Sequence, residues 1–427
     1  MMMVLGLLLL LLALFGAPLF AVIGASAIFS FYMAEIDLSV MAIEFYRLAE
    51  MPALVALPLF TFAGYLLGES QAPRRLVLLT DALLGWMPAG LAIVSLAACA
   101  FFTAFTGASG VTIIALGALL YPALKQAGYP ENFNLGLITT SGSLGILFAP
   151  SLPLILYGIV AQQLNLEQKI SIDDMFIAGI LPGLLMIVLL SSWSLWVNRA
   201  VRKPLAHFSM AHVLTAVKAS AWELPMPFIV LGGIYSGFFA VSEAAAVTVL
   251  YVFVVEVLIY KEISLKAVPG VMRDSMILVG AILIILGVSL ASTNYLIDAE
   301  IPATLFATIK EYISSKLTFL ILLNIFLLIL GAMLDIFSAL VLMIPLLLPV
   351  ALGYGIDPVH LGIIFLANMQ LGYFTPPVGM NLFIASHRFN KPVMQLYIAT
   401  LPFFFILLFA VLIITYWPDL SLVLLGR

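Results

Sequence analysis

The sequence predicts an all-α polytopic membrane protein built from two inverted repeats. Each repeat is expected to hold a re-entrant helical hairpin and a discontinuous membrane helix. Three observations lead there: extreme hydropathy, basic residues sorted to one side, and glycines and prolines that recur at a constant spacing. Of 427 residues, 64% are hydrophobic and 9% charged, and the mean hydropathy is +1.22. An ordinary soluble domain is about 25% charged. A soluble fold cannot bury that much apolar surface, and only helices or closed barrels satisfy the backbone inside lipid. A barrel is excluded because the apolar runs are long and continuous rather than short and alternating.

The apolar segments are roughly 3–33, 51–68, 88–127, 133–164, 175–198, 224–238, 243–260, 276–297, 317–353, 359–386 and 393–417. The first has no basic leader and is too long for a secretory h-region of about 7–15 residues, so it reads as a retained membrane helix. The connections 69–87, 125–131, 199–223, 261–274 and 387–392 hold 12 of the 17 basic residues, among them Arg74, Arg75, Arg199, Arg202, Lys203, Lys261 and Arg388. The opposite set holds Arg47, Lys169, Lys310, Lys316 and Arg427, and is acidic at Glu35, Asp37, Glu44, Glu50, Glu167, Asp173 and Asp174. The positive-inside rule places the basic set in the cytoplasm, with the N-terminus cytoplasmic and the C-terminus external.

That assignment holds only if 88–127 and 317–353 each return to the side they entered from, as hairpins of two arms. The segments 133–164 and 359–386 must each cross once. As straight helices they would run ~40–50 Å against a ~30 Å hydrocarbon core, so each must tilt or break. Both carry proline near the middle.

These four segments form two copies of one unit. At a shift of 227 residues, Pro122 falls on Pro349, Gly128 on Gly355, Gly145 on Gly372 and Pro150 on Pro377. Polar positions follow: Ser141 falls on Asn368 and Ser143 on Gln370. A weaker match at a shift of 169 sets "PLFTFAGYLLG" (58–68) on "PFIVLGGIYSG" (227–237). Repeat one then spans 1–223 and repeat two 224–427. The charges make the first hairpin open to the cytoplasm and the second to the outside, so the copies are inverted. Inverted repeats with broken helices point to a secondary transporter whose site lies at the midplane.

In repeat one the hairpin tip should fall in Phe105–Gly110 and the break in Gly145–Pro153. In repeat two the tip should fall in Gly331–Ser338 and the break in Gly372–Gly379. A break frees carbonyl oxygens, including those expected at Gly372, Phe374 and Thr375. Carbonyls and hydroxyls are hard ligands of the kind Na⁺ accepts, and half-helix N-termini suit a carboxylate. One cation site is expected at Thr106, Gly107, Ser109, Ser141, Gly145 and Phe148. A second is expected at Gly331, Asp335, Asn368, Gly372 and Thr375. Ser109, Ser143, Ala149, Pro150, Ser151, Pro376, Pro377 and Gly379 are expected around the substrate.

Each feature has a plainer alternative. Thr106 and Ser109 can bond back to their own helix, the prolines can be packing kinks, and Asp335 can cap the hairpin tip. An intramembrane carboxylate is nonetheless a functional candidate by default. Glu243, after Ser242, reads as an N-terminal helix residue. Glu256 lies near the basic side, where it can snorkel or pair with Lys261. Cys99 stands alone, so no disulfide within the chain is possible. His207, His212, His360 and His387 do not cluster as metal ligands. No GxxxxGK[ST] loop or HExxH helix is present, so neither an enzyme nor an ATP-driven pump is indicated. Nothing points to nucleic acid, and the only cofactor-like species expected is Na⁺ as coupling ion.

"GYPENFNLGLITTSGSLGILFAPSLP", "VSEAAAV" and "LGYFTPPVGMNLFIAS" resemble the large membrane (M) subunit of tripartite ATP-independent periplasmic (TRAP) transporters, in the ion transporter superfamily. The likeness covers essentially the whole chain. Where that family usually has two prolines before a serine, this chain has Ala149-Pro150-Ser151. Where it usually has Gly-Ser-Ser at the tip, this chain has Gly107-Ala108-Ser109. The resemblance implies an elevator-type importer of an organic acid, of dicarboxylate or sialic-acid type, in the bacterial or archaeal inner membrane. It implies Na⁺ coupling, a small four-helix membrane subunit and an extracytoplasmic solute-binding protein. The alternative reading is a stand-alone anion:cation symporter or exchanger of a related elevator fold. A scaffold protein with a degenerate site is a third.

Overall fold

The computed structural model describes residues 11–12, 17–87, 89–164, 170–199 and 209–426. The sequence readings at His207, Arg202, Lys203, Glu167, Lys169, Arg427 and most of the first apolar run before residue 17 lie outside the described residues. All regular structure among the described residues is helical.

Both hairpins form where expected. Gly90–Thr106 turns into Ser109–Gln126, and Lys316–Met333 turns into Ile336–Gly353. The shift of 227 carries the second arm of one hairpin onto the second arm of the other, end for end. Both long crossing segments are broken. The first runs as Glu131–Ser141, a tight turn Leu144–Leu147, then Leu152–Gln163, with a 41° bend between its halves. The second runs as Pro358–Gly372, then Met380–Phe389. Each break contains a cis X–Pro bond, Ala149–Pro150 and Pro376–Pro377. Among the described residues, seven helices are long and apolar enough to cross a membrane, and up to eight if the bent pair is one span.

The helices pack as two groups. In one, Leu19–Met33, Ser39–Ala49 and Ala56–Glu69 pack on Val268–Asp298, and Val241–Phe253 packs on Ala56–Glu69. Phe31 meets Tyr295 edge-on there, at 5.9 Å between centroids. In the other, the hairpins and broken helices pack with Ile180–Val197 and Val393–Tyr416. Glycines allow helices of this second group to touch at the backbone. A Cβ at Gly136 would lie 2.2 Å from the Ala399 carbonyl oxygen. Trp193 packs edge-on against Phe403 at 4.6 Å. His360 is buried and lies 3.3 Å from both the Ser421 hydroxyl and the Thr415 carbonyl. It is a satisfied core histidine.

Close contacts between the groups occur in both repeats. At Gly64 a Cβ would lie 2.5 Å from Cα of Thr106, so the backbone of Ala56–Glu69 rests on the first hairpin tip. In the second repeat, the Ser289 hydroxyl donates to the Val341 carbonyl (2.9 Å).

Several expectations change. The connection 69–87 contains a helix, Ala72–Leu84, and its counterpart before the second hairpin is Ile301–Tyr312. Both are too polar for a hydropathy scan to register as spans. The segment 276–297 begins earlier, at Val268. The segment 224–238 holds a helix of only 11 residues, Pro225–Tyr235. That is ~16 Å of helix; Pro225 and Pro227 start it, and Gly237, with φ +71°, ends the turn that follows.

The basic-side bookkeeping also hid a buried cluster. Arg75 does not face water. Its Nε pairs with Glu223 and its Nη1 with Glu262, while Nη2 lies 3.1 Å from both Glu256 and Glu262. The Tyr260 ring covers the guanidinium at 4.2 Å. Burial works against this charge, but the surrounding carboxylates outweigh it and hold the Arg75 pKa above its ordinary value. Glu256 is therefore partnered by Arg75 rather than by Lys261, and it is fully buried rather than snorkelling. A wide π-type turn, Val254–Ile259, carries it. Glu243 does cap a helix start, but by accepting from the Ala240 amide (2.9 Å), so the helix begins at Val241, one residue before Ser242.

Candidate functional site

In repeat one the chain reverses at Gly107, whose φ of +64° favours glycine. A Cβ there would sit 2.4 Å from Leu152 Cγ, so the tip rests on the start of the second half-helix beyond the break. A Cβ at Gly145 would fall 2.3 Å from the Ala100 carbonyl oxygen, so the break in turn rests on the first arm. The Thr103 hydroxyl lies 2.9 Å from the Gly142 carbonyl oxygen and 2.7 Å from Thr112 Oγ1, linking arm, arm and break. Tip and break are thus one unit, as the repeat implied.

Within that unit many oxygens are already engaged. Ser141 and Ser143 donate to the Ile138 (3.3 Å) and Thr140 (3.1 Å) carbonyls of their own helix. Thr106 is fully buried, with only a long 3.5 Å contact to the Ala108 carbonyl. The Phe148 ring packs over Gly183, and its carbonyl accepts the Ser151 amide (3.0 Å). The Gly145 carbonyl accepts the Phe148 amide (3.0 Å). Thr140 Oγ1 and Ser151 Oγ are buried without a partner.

Ser109 does not bond back to its own helix. Its hydroxyl lies 2.7 Å from Asn381 Oδ1, across the repeats. Asn381 Nδ2 donates to the Thr139 carbonyl (3.2 Å), and a carbonyl can only accept. That fixes the amide so that Oδ1 faces Ser109 and the serine must be the donor. The lone pairs of Ser109 are left for another partner. Its position at the head of the second arm, next to the tip, suits a cation or a polar substrate group.

In repeat two Gly331 and Gly372 meet backbone to backbone. A Cβ at Gly372 would lie 2.2 Å from the Gly331 carbonyl carbon. The Val378 and Gly379 amides approach the Ala332 carbonyl at 3.2 and 3.4 Å, tying break to tip. Asp335 Oδ1 accepts from the Phe337 and Ser338 amides (3.0 Å each), and Oδ2 accepts from the Ser338 hydroxyl. Its carboxylate caps the second arm, as the plainer reading had it. Thr375 donates to the Leu371 carbonyl (2.7 Å). The Gly372 carbonyl, expected to be free, accepts the Thr375 amide (3.0 Å). Pro376 and Pro377 are exposed, whereas Pro150 and Ser151 are buried. A cavity of about 220 Å³ lies beside Phe374, Thr375 and Pro376, closed on its other side by Tyr397, Thr400 and Phe404.

Two buried side chains in this second unit retain open polar atoms. Asn368 Oδ1 has no hydrogen-bond partner, and neither does the amide oxygen or nitrogen of Gln370. A buried amide group left unpaired costs roughly 1–3 kcal/mol. Sequence reasoning had picked Asn368 and matched Gln370 to Ser143, but it missed Asn324, Asn381, Thr103 and Thr112. Asn324, alone in "LILLNIFLLIL", offered a signal: a polar side chain inside a membrane segment is a functional candidate. Among the described residues no His, Cys, Asp and Glu group could hold a metal ion. The oxygens gathered here are amides, hydroxyls and carbonyls, suited to a hard monovalent cation or to a hydrogen-bonding solute.

Residues 4–420 match the family model "Tripartite ATP-independent periplasmic transporter, DctM component". The chain belongs to this family. It is a TRAP transporter large permease and a multi-pass membrane protein, not an enzyme. It is 33% identical to the C4-dicarboxylate TRAP transporter large permease protein DctM of Rhodobacter capsulatus, covering 98% of this chain and 97% of that one. It is 32% identical to the isethionate TRAP transporter permease protein DctMQ of Oleidesulfovibrio alaskensis, over 87% of this chain and 58% of that protein. It is 31% identical to the ectoine/5-hydroxyectoine TRAP transporter large permease protein UehC of Ruegeria pomeroyi, over 97% and 96%. Among solved structures, the Alcanivorax borkumensis YdaH transporter shares the fold. The TM-score is 0.64 at 14% identity, over 90% of this chain and 89% of that one.

Proposed function

We propose that this TRAP large permease imports a small organic acid anion, driven by a Na⁺ gradient. The observation that carries the reading is the fully buried, unpartnered amide oxygen of Asn368, beside a hairpin tip and break with no basic side chain in them. A cation supplies what such an oxygen lacks. Ser109, with its proton committed to Asn381, supports an equivalent first site. The substrate would lie between them, against Ser151, the exposed Pro376–Pro377 turn and the half-helix N-termini.

The named relatives transport a dicarboxylate, a sulfonate and ectoines at 31–33% identity. Sequence identity therefore does not choose the solute. The absence of Lys and Arg from the site segments favours a small anion held by amides and helix ends over a phosphate. Dicarboxylates and sialic-acid-type solutes both satisfy that chemistry.

The chain would work with a small four-helix membrane subunit and an extracytoplasmic solute-binding protein. The joined DctMQ name of one relative supports the first partner. The charge distribution supports an inner-membrane orientation with a cytoplasmic N-terminus and an external C-terminus. The division into two helix groups joined at Gly64–Thr106 and Ser289–Val341 supports an elevator, in which the hairpins and broken helices move as a block.

The test is Na⁺-dependent uptake in proteoliposomes holding this chain with its small subunit and binding protein. Asn368→Ala and Ser109→Ala are expected to raise the Na⁺ concentration needed for half-maximal uptake. An unchanged Na⁺ dependence in both variants would sink the reading. Uptake by this chain alone would instead favour a stand-alone symporter.

A further inference from the structure

Asn324 sits in the middle of the first arm of the second hairpin, buried among leucines and isoleucines. Its Nδ2 donates to the Leu320 carbonyl (2.8 Å). A carbonyl only accepts, so this bond fixes the orientation of the amide. Oδ1 must then face the other way, and there it accepts from Asn368 Nδ2 (2.7 Å) and from the Thr415 hydroxyl (3.1 Å). Asn368 Nδ2 also donates to the Ile364 carbonyl (2.9 Å). Both amide hydrogens of Asn368 are thereby spent on acceptors. Its Oδ1 is left buried without a hydrogen-bond partner. Two residues on, Gln370 is equally buried with both amide atoms open.

We propose that Asn324 is the positioning residue of the second cation site. It touches no ion itself. Together with the Ile364 carbonyl, it holds the Asn368 amide in the orientation that presents oxygen, and not nitrogen, to a cation. Without Asn324 only the Ile364 carbonyl still holds that amide, so its orientation is less firmly set, and an N–H₂ group turned to the site repels a cation. The inference rests on the Na⁺ reading above and adds to it a residue and a direction of control. The first site has a parallel: the Thr139 carbonyl orients Asn381, and Asn381 Oδ1 accepts the hydrogen bond of the Ser109 hydroxyl.

A plainer role for Asn324 is interhelical glue, joining its arm to Pro358–Gly372 and Val393–Tyr416. The two roles separate in a Na⁺ titration of the purified full-length chain, with NaCl exchanged for KCl at fixed ionic strength. The readouts are the Na⁺ concentration for half-maximal thermal stabilisation and the melting temperature at zero Na⁺. Removing the partner that orients a ligand typically weakens metal affinity about 10- to 100-fold. Asn324→Leu is expected to raise the half-saturating Na⁺ concentration at least about tenfold. Thr415→Val, which removes only the second donor to Asn324, is expected to leave it unchanged while lowering the melting temperature. Asn324→Asp keeps an acceptor for Asn368 and is expected to restore Na⁺ affinity. Should Asn324→Leu not fold, Asn324→Ser is read the same way. If Asn368→Ala weakens Na⁺ binding while the Asn324 variants do not, the positioning role is wrong and the site stands. If Asn368→Ala itself leaves Na⁺ binding intact, the cation reading is wrong.

Discussion

The helix that precedes each hairpin occupies the same place in both repeats, yet the two are fastened by different physics. Ala72–Leu84 is held by charge: Arg75 reaches Glu223, Glu256 and Glu262, residues some 150 to 190 positions away. Ile301–Tyr312 has no ion pair among the described residues. It is held by aromatic packing. Phe306 fills the space over Gly353, where a Cβ would lie 2.4 Å from the ring, and meets Tyr354 edge-on at 5.5 Å. Tyr354 also stacks on Phe319 at 4.4 Å. Charge in a buried setting is directional and fails abruptly when one partner is lost. Aromatic packing loses energy in proportion to the area removed. One repeat is therefore clamped and the other cushioned, although hairpin and break are laid out alike in both.

The contrast can be broken most directly at Arg75. Arg75→Ala leaves Glu223 and Glu256 buried, with Glu262 partly exposed beside them, around a missing cation, and breaking such a cluster typically costs about 3–5 kcal/mol. The purified protein should show a large fall in melting temperature, and Arg75→Lys should recover only part, because a single ammonium cannot reach three carboxylates as a planar fork does. A second test asks what the repeats share. Gly145→Ala and Gly372→Ala each drive a methyl into backbone 2.2–2.3 Å away. Overpacking of this kind costs roughly 1–3 kcal/mol or more. Similar losses at the two sites would sharpen the view that the breaks are built alike, and a neutral result at either would undo it.

Phe306→Ala should lower stability by about 1–3 kcal/mol, less than Arg75→Ala because the ring is only partly buried. Equal effects for the two would remove the distinction between clamp and cushion. The smallest effect belongs to Lys391, which pairs with Glu131 and so links the second broken helix to the first. The hydrogen bond to Glu131 raises the Lys391 pKa above its ordinary value. A raised lysine pKa adds stability that is full at neutral pH and fades as pH climbs through the folded value. Lys391 in turn holds the Glu131 pKa below its ordinary value, a stability lost as pH falls, so Lys391→Met should flatten both the alkaline and the acidic side of a melting-temperature profile.

The hairpins, the breaks and their register were legible because glycine and proline punctuate the backbone locally and recur at one spacing. Gly107, Gly145, Gly372 and Pro377 announce themselves in a chain otherwise rich in leucine. What stayed hidden depends on distant partners. Arg75 reads as one more basic residue on the cytoplasmic side until Glu223 and Glu256 are folded against it. The carbonyl of Gly372 reads as free until the Thr375 amide turns back to it. Asn381 follows the break by two residues, and nothing local says that it reaches Ser109, more than 270 residues earlier. The helices Ala72–Leu84 and Ile301–Tyr312 escaped notice because hydropathy finds spans, not polar helices that lie between them.

The wide turn at Val254–Ile259 has a consequence for chain length. Such a turn is a one-residue surplus within a helix. Deleting any one of its residues would restore ordinary winding and rotate everything on one side of it by about 100° relative to the other. Glu256 and Glu262 could not then both meet Arg75. The clamp is set by a count of residues as much as by their identity, so this segment should tolerate apolar substitutions far better than a single deletion.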